Sequence, residues 1–498
     1  MISYAIENAP PVHNPDVDNE KLSRKNTEHL KRTSALFQEP KLERELVKKL
    51  DYQILPLVCV LYCFSFLDRV NIGNAKIAGI EDSLQLNPSQ FSTCLALFYL
   101  SYILFEVPAN VLLKHFKINV WISIIMFLWG AVTVVTAFVT SYSTLAITRF
   151  FLGVFEAGYV PGILYYLSTF YKRRELATRV AIFLCFNCIA GMISGPIGYA
   201  TTFLEGKLGM HGWQFLFLIE GVPTTLLSAC CYYFMIGDIQ KVKWLTDAQK
   251  ELQVQRIARE KATTSEHANL TWKEFRTSIF DWRAWALGIM FMLCVTPLTG
   301  ISIFLPTLLQ DLGFSIGVTQ LLVIPINLVG AIAEIASAIA ADRMQQRFPF
   351  IFAGSCLASL SFFALCLVQN HWARYALLHF AMIGVTMTAP CILTWASDNW
   401  DGPTKAISIA LVICLGNVGG IFASFIFRPS DGPAYVMPFA VFAGILVMGA
   451  AASFVLKRYW KRVNDNRDMG VYEIDITDMK SEEVDRLGDR HPSFRYLL

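Results

Sequence analysis

The sequence predicts an all-α membrane protein of twelve transmembrane helices, arranged as two bundles of six. Hydrophobic residues make up 54% of the chain and charged residues only 16%, whereas soluble proteins carry about 25% charged residues. Apolar windows of about 20 residues, the length that crosses a bilayer, also recur along the chain. So few charges could not cover a water-soluble chain of 498 residues, and lipid must therefore be the solvent for much of it.

Six of the predicted spans precede a long polar stretch and six follow it. The spans are 53–75, 90–113, 119–140, 143–170, 178–203, 213–235, 284–309, 317–341, 348–368, 372–396, 404–427 and 433–456. This spacing divides the chain into a tail (1–51), a first bundle (52–236), a linker (237–283), a second bundle (284–457) and a second tail (458–498). Both tails are charged, and we expect them to be soluble and partly disordered.

Lysine and arginine are concentrated in the loops at one end of the predicted bundles. These basic loops include 114–117, 172–174, 343–347 and 457–462, whereas opposite loops such as 310–316 are nearly uncharged. Basic loops remain in the cytoplasm when a membrane protein is inserted. Both termini are therefore predicted to be cytoplasmic, which agrees with an even number of spans.

Several function classes are excluded by the composition. All twelve cysteines lie in apolar stretches, as small buried side chains do, and not in the loops of a disulfide scaffold. The net charge of +3 is too small to indicate a nucleic-acid partner. The eight histidines lie mostly in tails and loops, and without convergent nucleophiles or ligands they predict neither an enzyme nor a metal site.

Ionisable residues inside the predicted spans are candidates for function, because a charge in lipid is expensive. Arg149 and Glu156 on the fourth span are seven residues apart, which is close to two helical turns and places both on one face. An arginine there offers a forked donor that matches a carboxylate, and a glutamate shielded from water could carry a proton. Alternatively, the pair only neutralises neighbouring charges and holds helices together.

Three further charges lie in the first two spans. Arg69 could supply a second cationic contact, and its neighbour Asp68 is interpreted mainly as a structural partner of Arg69 or of a nearby helix. Glu106, just before Pro108 on the second span, is interpreted as structural.

A short charged loop, Asp342-Arg343-x-x-x-Arg347, follows the predicted eighth span. It could be a salt-bridge latch that holds an inner gate shut, or ordinary positive charge on the cytoplasmic side.

Glycine and proline interrupt two of the predicted helices. Gly191-x-x-x-Gly195-Pro196-x-Gly198 on the fifth span permits close helix packing and a kink. A similar pattern marks drug/proton antiporters, so export is a second interpretation. On the eleventh span Asn417 lies among glycines, where it could bond across a central cavity.

At this point the sequence resembles the fungal allantoate permease family of anion:cation symporters, within the major facilitator superfamily. The matching stretches are 67–75, 105–110, 149–162, 243–246 and 395–405. The resemblance implies a major facilitator fold and proton-coupled uptake of a small organic anion such as allantoate, nicotinate, pantothenate or biotin. Nicotinate is slightly favoured on overall similarity.

The resemblance also implies roles for individual residues. Arg69, Asn71 and Arg149 become anion-binding candidates and Glu156 the proton-coupling candidate. Trp395 joins them with Asn417 as a candidate substrate contact, since an aromatic ring could stack on a pyridine. It further implies that a proton gradient is the driving force without a cofactor, and that the carrier works as a monomer in the plasma membrane.

Two departures from the family pattern stand out, and two other functions stay open. Leu95 replaces a histidine of the related vesicular carriers, and Asp398 stands where an asparagine is expected and could alter substrate preference. An antiporter that exports drugs or metabolites is one alternative. A nutrient sensor without transport is the other, although a sensor would more plausibly carry a large folded extension.

Overall fold

Only α-helices and short 3-10 turns form regular structure in the part of the chain that the structure describes. The computed structural model describes residues 40–113, 115–263, 272–401, 404–471 and 487–498. Within these ranges it contains sixteen α-helices and no strand, which confirms the predicted all-α class.

The helices are numbered here in chain order. They are α1 Pro40–Ile77, α2 Ile80–Ser83, α3 Pro88–Leu113, α4 Ile118–Thr136, α5 Tyr142–Glu156, α6 Tyr159–Phe170, α7 Arg173–Thr202, α8 Gly212–Phe234, α9 Asp247–Thr263, α10 Trp272–Ile279, α11 Trp282–Asp311, α12 Ile316–Met344, α13 Phe348–Leu367, α14 His371–Asn399, α15 Lys405–Ile426 and α16 Val436–Asp468. Short 3-10 turns lie at Lys207–Gly209, Ile239–Lys241, Pro429–Asp431 and Gly488–Arg490.

Twelve segments are long and apolar enough to cross a membrane, which confirms the predicted number of spans. The helices α5 and α6 together form one of them, Tyr142–Phe170, and the short or polar helices α2, α9 and α10 form none. Large apolar side chains point out of the bundle, including Leu226 and Leu360, which are 66% and 68% exposed. Such a surface suits lipid and not water.

Several boundaries differ from those predicted. The first helix begins at Pro40, well before residue 53, and runs unbroken to Ile77. The fourth span is divided at Ala157 and Gly158 into α5 and α6. In the second tail, residues 487–498 fold against the helices, and residues 472–486 lie outside the described residues.

The packing of the first six spans is repeated by the last six. Helix α1 packs on α7 and α8, as α11 packs on α15 and α16. Likewise α4 packs on α8 as α13 does on α16, and α3 packs on α5 as α12 does on α14. The repeat that is weak in sequence is therefore clear in the arrangement of the helices.

Three helix pairs make the most extensive contacts between the first set of spans and the second: α1 with α11, α3 with α15, and α7 with α12. The glycine-proline pattern lies in the last of these. A Cβ atom at Gly195 would overlap the backbone oxygen of Gln320, and one at Gly198 would meet the Gln320 side chain. A Cβ at Gly191 would crowd the Asn327 amide. The pattern therefore serves close packing between the two sets, the simpler of its two interpretations.

Candidate functional site

The second half of α1 carries four polar residues on two faces. Ser65 and Arg69 are one helical turn apart and share a face, and Asp68 and Asn71 share another, because each residue turns the helix by about 100°. Ser65, Asp68 and Asn71 are fully buried, and the side chain of Arg69 is 15% exposed. Adjacent residues of one motif therefore reach different neighbours.

Glu156 is the partner of the first face. Its Oε1 atom accepts a hydrogen bond from Nη2 of Arg69 at 2.6 Å and another from Oγ of Ser65 at 2.6 Å. Glu156 is fully buried, and its Oε2 atom has no hydrogen-bond partner among the described residues. The three side chains form a charged contact between α1 and the end of α5.

Aromatic rings from α3 surround the Arg69 guanidinium. The rings of Phe98 and Tyr102 have their centroids 5.4 and 5.3 Å from its central carbon. These distances allow cation–π attraction. The arginine is thereby held beside two buried aromatic rings.

Arg149 lies in a second buried cluster. It is 2% exposed, and its Nη2 atom is 3.4 Å from Oδ1 of Asn71. Its guanidinium carbon lies 5.3 Å from the centre of the Phe217 ring. The fully buried carboxylates of Asp68 and Glu220 lie within electrostatic range. A buried arginine with two buried carboxylates carries a net charge of −1 when all three ionise.

Asp68 joins α1 to α8. Its Oδ2 atom accepts a hydrogen bond from Oγ1 of Thr224 at 3.2 Å. The same hydroxyl contacts the backbone oxygen of Glu220 one turn earlier in α8. The charges of Asp68 and Arg69 thus belong to two separate clusters.

The local sequence of α5 explains why Arg149 and Glu156 reach the interior. Ser141 caps the helix start and Thr144 completes a capping box, which fixes where the helix begins. Between the two charges, a Cβ at Gly153 would overlap Oγ of Ser101 and the backbone oxygen of Phe98. Glycine at this position therefore allows α5 to approach α3 closely enough to bury both charges.

Glu106 and Asn417 meet between the two sets of spans. Glu106 on α3 is 3% exposed and lies 3.4 Å from Sγ of Cys414 on α15. Asn417, one turn further along α15, also hydrogen-bonds this carboxylate. The structure places both polar groups at the contact of α3 with α15, with Glu106 within electrostatic range of Arg69.

Trp395 lies in different surroundings. Its ring is fully buried against Trp460, with centroids 4.6 Å apart, and its Nε1 atom donates to the backbone oxygen of Leu497 at 2.9 Å. These contacts belong to α14, α16 and the tail. The structure does not bring Trp395 together with Arg69 or Arg149.

The charged loop after α12 forms an ion cluster centred on Arg347. Its guanidinium contacts Asp342 at 2.5 Å and Asp398 at 3.0 Å. The charges of these carboxylates raise the pKa of Arg347 although burial opposes them. Arg343, in contrast, is exposed. Asp398 therefore acts as a partner of Arg347, which explains an acidic residue where an asparagine was expected.

Two buried polar residues complete the site without having been predicted: Ser65 and Thr224. Ser65 stands four residues before Arg69, and Thr224 stands four after Glu220, which are helical neighbours. That spacing was the available signal. A serine or threonine in an apolar span is too common to be selected without the packing.

Comparison with known proteins identifies the family. The sequence profile of the Major Facilitator Superfamily matches residues 58–424. A relative named MFS transporter prlL, from a fungal species (strain NRRL 50135), is 32% identical over 428 residues, covering 84% of this chain and 86% of the relative. The high-affinity nicotinic acid transporter of Saccharomyces cerevisiae is 28% identical over 458 residues, covering 92% of this chain and 85% of that protein.

Solved structures show the same fold. An inward-facing bacterial homologue of the human lysosomal transporter Spinster matches with a TM-score of 0.62 at 16% identity, over 81% of this chain and 96% of that one. The Escherichia coli xylose transporter XylE, partially occluded and inward open, matches with a TM-score of 0.64 at 13% identity, over 81% and 97%. With a profile match over most of its length and twelve apolar spans, the chain belongs to the major facilitator superfamily of membrane transporters.

Proposed function

We propose that this transporter takes up a small organic anion together with a proton. The observation that carries the proposal is the buried contact between Arg69 and Glu156 at 2.6 Å, beside a second buried arginine, Arg149. Two buried guanidinium groups favour an anionic substrate, since arginine binds carboxylates through paired hydrogen bonds.

Proton and substrate binding are coupled because Glu156 and the carboxylate of the substrate compete for Arg69. While Glu156 is ionised it occupies the Arg69 guanidinium. A proton on Glu156 neutralises the carboxylate and releases Arg69 to bind the carboxylate of the substrate. Proton and substrate therefore bind together, and each increases the affinity for the other by the same factor.

The same competition distinguishes proton-coupled uptake from proton-coupled export. In an antiporter the proton and the substrate displace each other, whereas here the substrate competes with the unprotonated form of Glu156. The glycine-proline pattern that favoured export is accounted for by the packing of α7 on α12. Symport is therefore the better supported direction of coupling.

Nicotinate is the substrate we favour, with pantothenate, biotin and allantoate as the other candidates. The support is the relative named a nicotinic acid transporter and the rings of Phe98 and Tyr102 beside Arg69. A pyridine carboxylate would place its charge on the guanidinium and its ring against the aromatic wall. This matches the resemblance to anion:cation symporters.

The proposal includes the working arrangement of the chain. The two bundles, 52–236 and 284–457, would rock against each other around a site between them, with the linker and both tails in the cytoplasm. The carrier would act as a monomer in the plasma membrane. A proton gradient would drive it without any cofactor.

A substrate screen tests the proposal directly. Cells lacking related permeases and expressing the protein receive labelled nicotinate, pantothenate, biotin or allantoate at about pH 5 and about pH 7, with and without an uncoupler. We expect faster accumulation of one anion at the lower pH and its loss with the uncoupler. Accumulation that changes neither with pH nor with the uncoupler would exclude proton symport.

A further inference from the structure

Residues 487–498, called here the tail segment, are bound to the second set of spans. These contacts lie at the end of the bundle that carries Lys172, Arg347 and the end of α14, which we call the basic end. The tail segment contacts α11, the start of α13, α14 and the last turns of α16 there.

Two asparagine side chains hold the tail backbone. The amide of Asn399 accepts from the backbone nitrogen of Leu497 at 2.7 Å and donates to the oxygen of the same residue at 3.1 Å. Asn464 makes the same pair of bonds with Tyr496, at 2.9 and 2.8 Å. Each amide satisfies both backbone groups of one residue, so α14 and α16 hold adjacent positions of the tail.

A buried arginine holds the tail side chains. Arg283 at the start of α11 donates to Asp489 at 2.6 Å and to the Tyr496 hydroxyl at 2.7 Å. The Tyr496 ring stacks on Trp460 at 5.9 Å and 14°. Charge-assisted bonds of this kind are among the stronger ones in proteins. The tail segment is therefore docked on the basic end by specific hydrogen bonds and ring stacking.

The part of α14 that the tail grips follows a proline. Pro390 lies inside α14, and a proline removes a backbone hydrogen bond and allows a helix to bend at that point. Trp395 and Asn399, which both bond Leu497, lie on the far side of it. Helix α14 also contacts α7 of the first set of spans. The tail therefore holds α14 beyond the point at which a proline allows the helix to bend.

We propose that the tail segment is a built-in brake on the basic end: when docked, it ties the part of α14 after Pro390 to α11 and α16 and slows the opening of the transport path at that end. Undocking frees this part of α14 to bend. The inference requires a transporter that opens at this end, and it does not require the anion or proton assignments.

Hydrogen exchange in the full-length protein in lipid nanodiscs tests the structural half of the inference. Tyr496→Ala removes the ring stacked on Trp460 and two hydrogen bonds, and exchange should rise by about tenfold or more in residues 487–498 and in 391–399 together. Ser493→Ala is the matched control, because Ser493 is exposed and its hydroxyl bonds His491 of the same tail segment and no described residue of the helices. It should change neither region.

A second variant and a peptide rescue distinguish a brake from a merely structural contact. Asn464→Ala, in α16, should release both regions if Tyr496→Ala folds poorly. A synthetic peptide of residues 487–498, added in excess to the Tyr496→Ala protein, should restore protection of 391–399, whereas the same peptide with that substitution should not. Release of the tail with unchanged exchange in 391–399 would overturn the proposal.

Transport measures the functional half. With nicotinate as the probe, the Tyr496→Ala protein should show an initial uptake rate about twofold higher or more per molecule at the membrane, with an unchanged half-saturating concentration. An equal or lower rate would overturn the brake. If the wild-type protein moves no nicotinate, the proposed substrate fails, and exchange with the peptide still decides this inference.

Discussion

The Nη2 atom of Arg69 on α1 and the Oε1 atom of Glu156 on α5 lie 2.6 Å apart in the interior. Glu156 shares a face of α5 with Arg149, yet it pairs with the arginine of the other helix. The ionised Glu156 therefore pairs with Arg69, whereas Arg149 lies near Asn71 and the carboxylates of Asp68 and Glu220. The first prediction follows from this division of the charges.

Glu156→Gln should separate exchange from accumulation. The amide keeps a hydrogen-bond acceptor for Ser65 and Arg69 but no longer binds and releases a proton. Cells with this variant should exchange labelled for unlabelled substrate yet fail to concentrate it, whatever the external pH. Glu45→Gln, at an exposed position of α1, is the control and should accumulate substrate normally. Accumulation by Glu156→Gln that still depends on pH would remove Glu156 from the proton path.

Removing Arg149 should destabilise the protein as well as stop transport. Arg149→Met leaves the buried carboxylates of Asp68 and Glu220 without their cation, and breaking a buried charge pair costs about 3–5 kcal/mol. Thermal unfolding of the purified protein should show the loss. Adding Asp68→Asn should recover part of the stability but not the transport. If the double variant is no more stable than Arg149→Met, Asp68 does not depend on this arginine.

Substitution of Arg343, in the last turn of α12, and of Arg347, just before α13, should differ sharply in effect on stability. Arg347 is buried between Asp342 and Asp398, so Arg347→Ala should lower the free energy of unfolding by about 3 kcal/mol or more. Arg343 is exposed, and Arg343→Ala should change it by no more than about 0.5 kcal/mol. Thermal unfolding checks both variants.

Asp398→Asn addresses the departure from the family pattern. It should weaken the contact with Arg347 while leaving the order of preference among labelled anions unchanged, because the contact lies outside the arginine clusters. A changed order of preference would show that Asp398 senses the substrate.

Docking of the tail should strengthen as pH falls. Burial raises the pKa of Asp489 above its ordinary value, and Arg283 only partly offsets this. Its other charged or titratable neighbours are Tyr496, Arg467 and Asp281. A carboxyl group whose pKa is higher docked than undocked takes up a proton on docking, so docking is favoured as pH falls toward the docked pKa and weakened as pH rises above it.

Asp281 does not reverse this trend. Burial acts to raise the pKa of Asp281, but the hydrogen bonds and charge of Arg283 lower it, so its contribution is lost only at a lower pH. Hydrogen exchange of residues 496–498, corrected for the intrinsic rate, should slow progressively as pH falls from about 7 toward about 4, the ordinary pKa of an aspartate. Asp489→Asn should remain docked and lose the pH dependence. Faster corrected exchange at the lower pH would contradict the assignment.

Much of the fold was predictable because lipid imposes simple rules. Span length and the scarcity of charge predicted twelve membrane spans, and the seven-residue spacing predicted that Arg149 and Glu156 share one helix face. The pairing of Arg69 with Glu156 was not predictable, because it depends on how α1 is rotated against α5. The roles of Trp395 and Asn399 also escaped prediction, since their partners lie about a hundred residues away in a tail without apolar periodicity.

The break in the fourth span has a mechanical consequence. Glu156 is the last residue of α5, and the chain continues as α6 after Ala157 and Gly158. The end of a helix carries a partial negative charge, which repels a carboxylate there. A proton arriving at Glu156 would relieve that repulsion at the joint itself. If Glu156 carries the coupled proton, as we propose, loading that proton and bending the fourth span between α5 and α6 would be a single event.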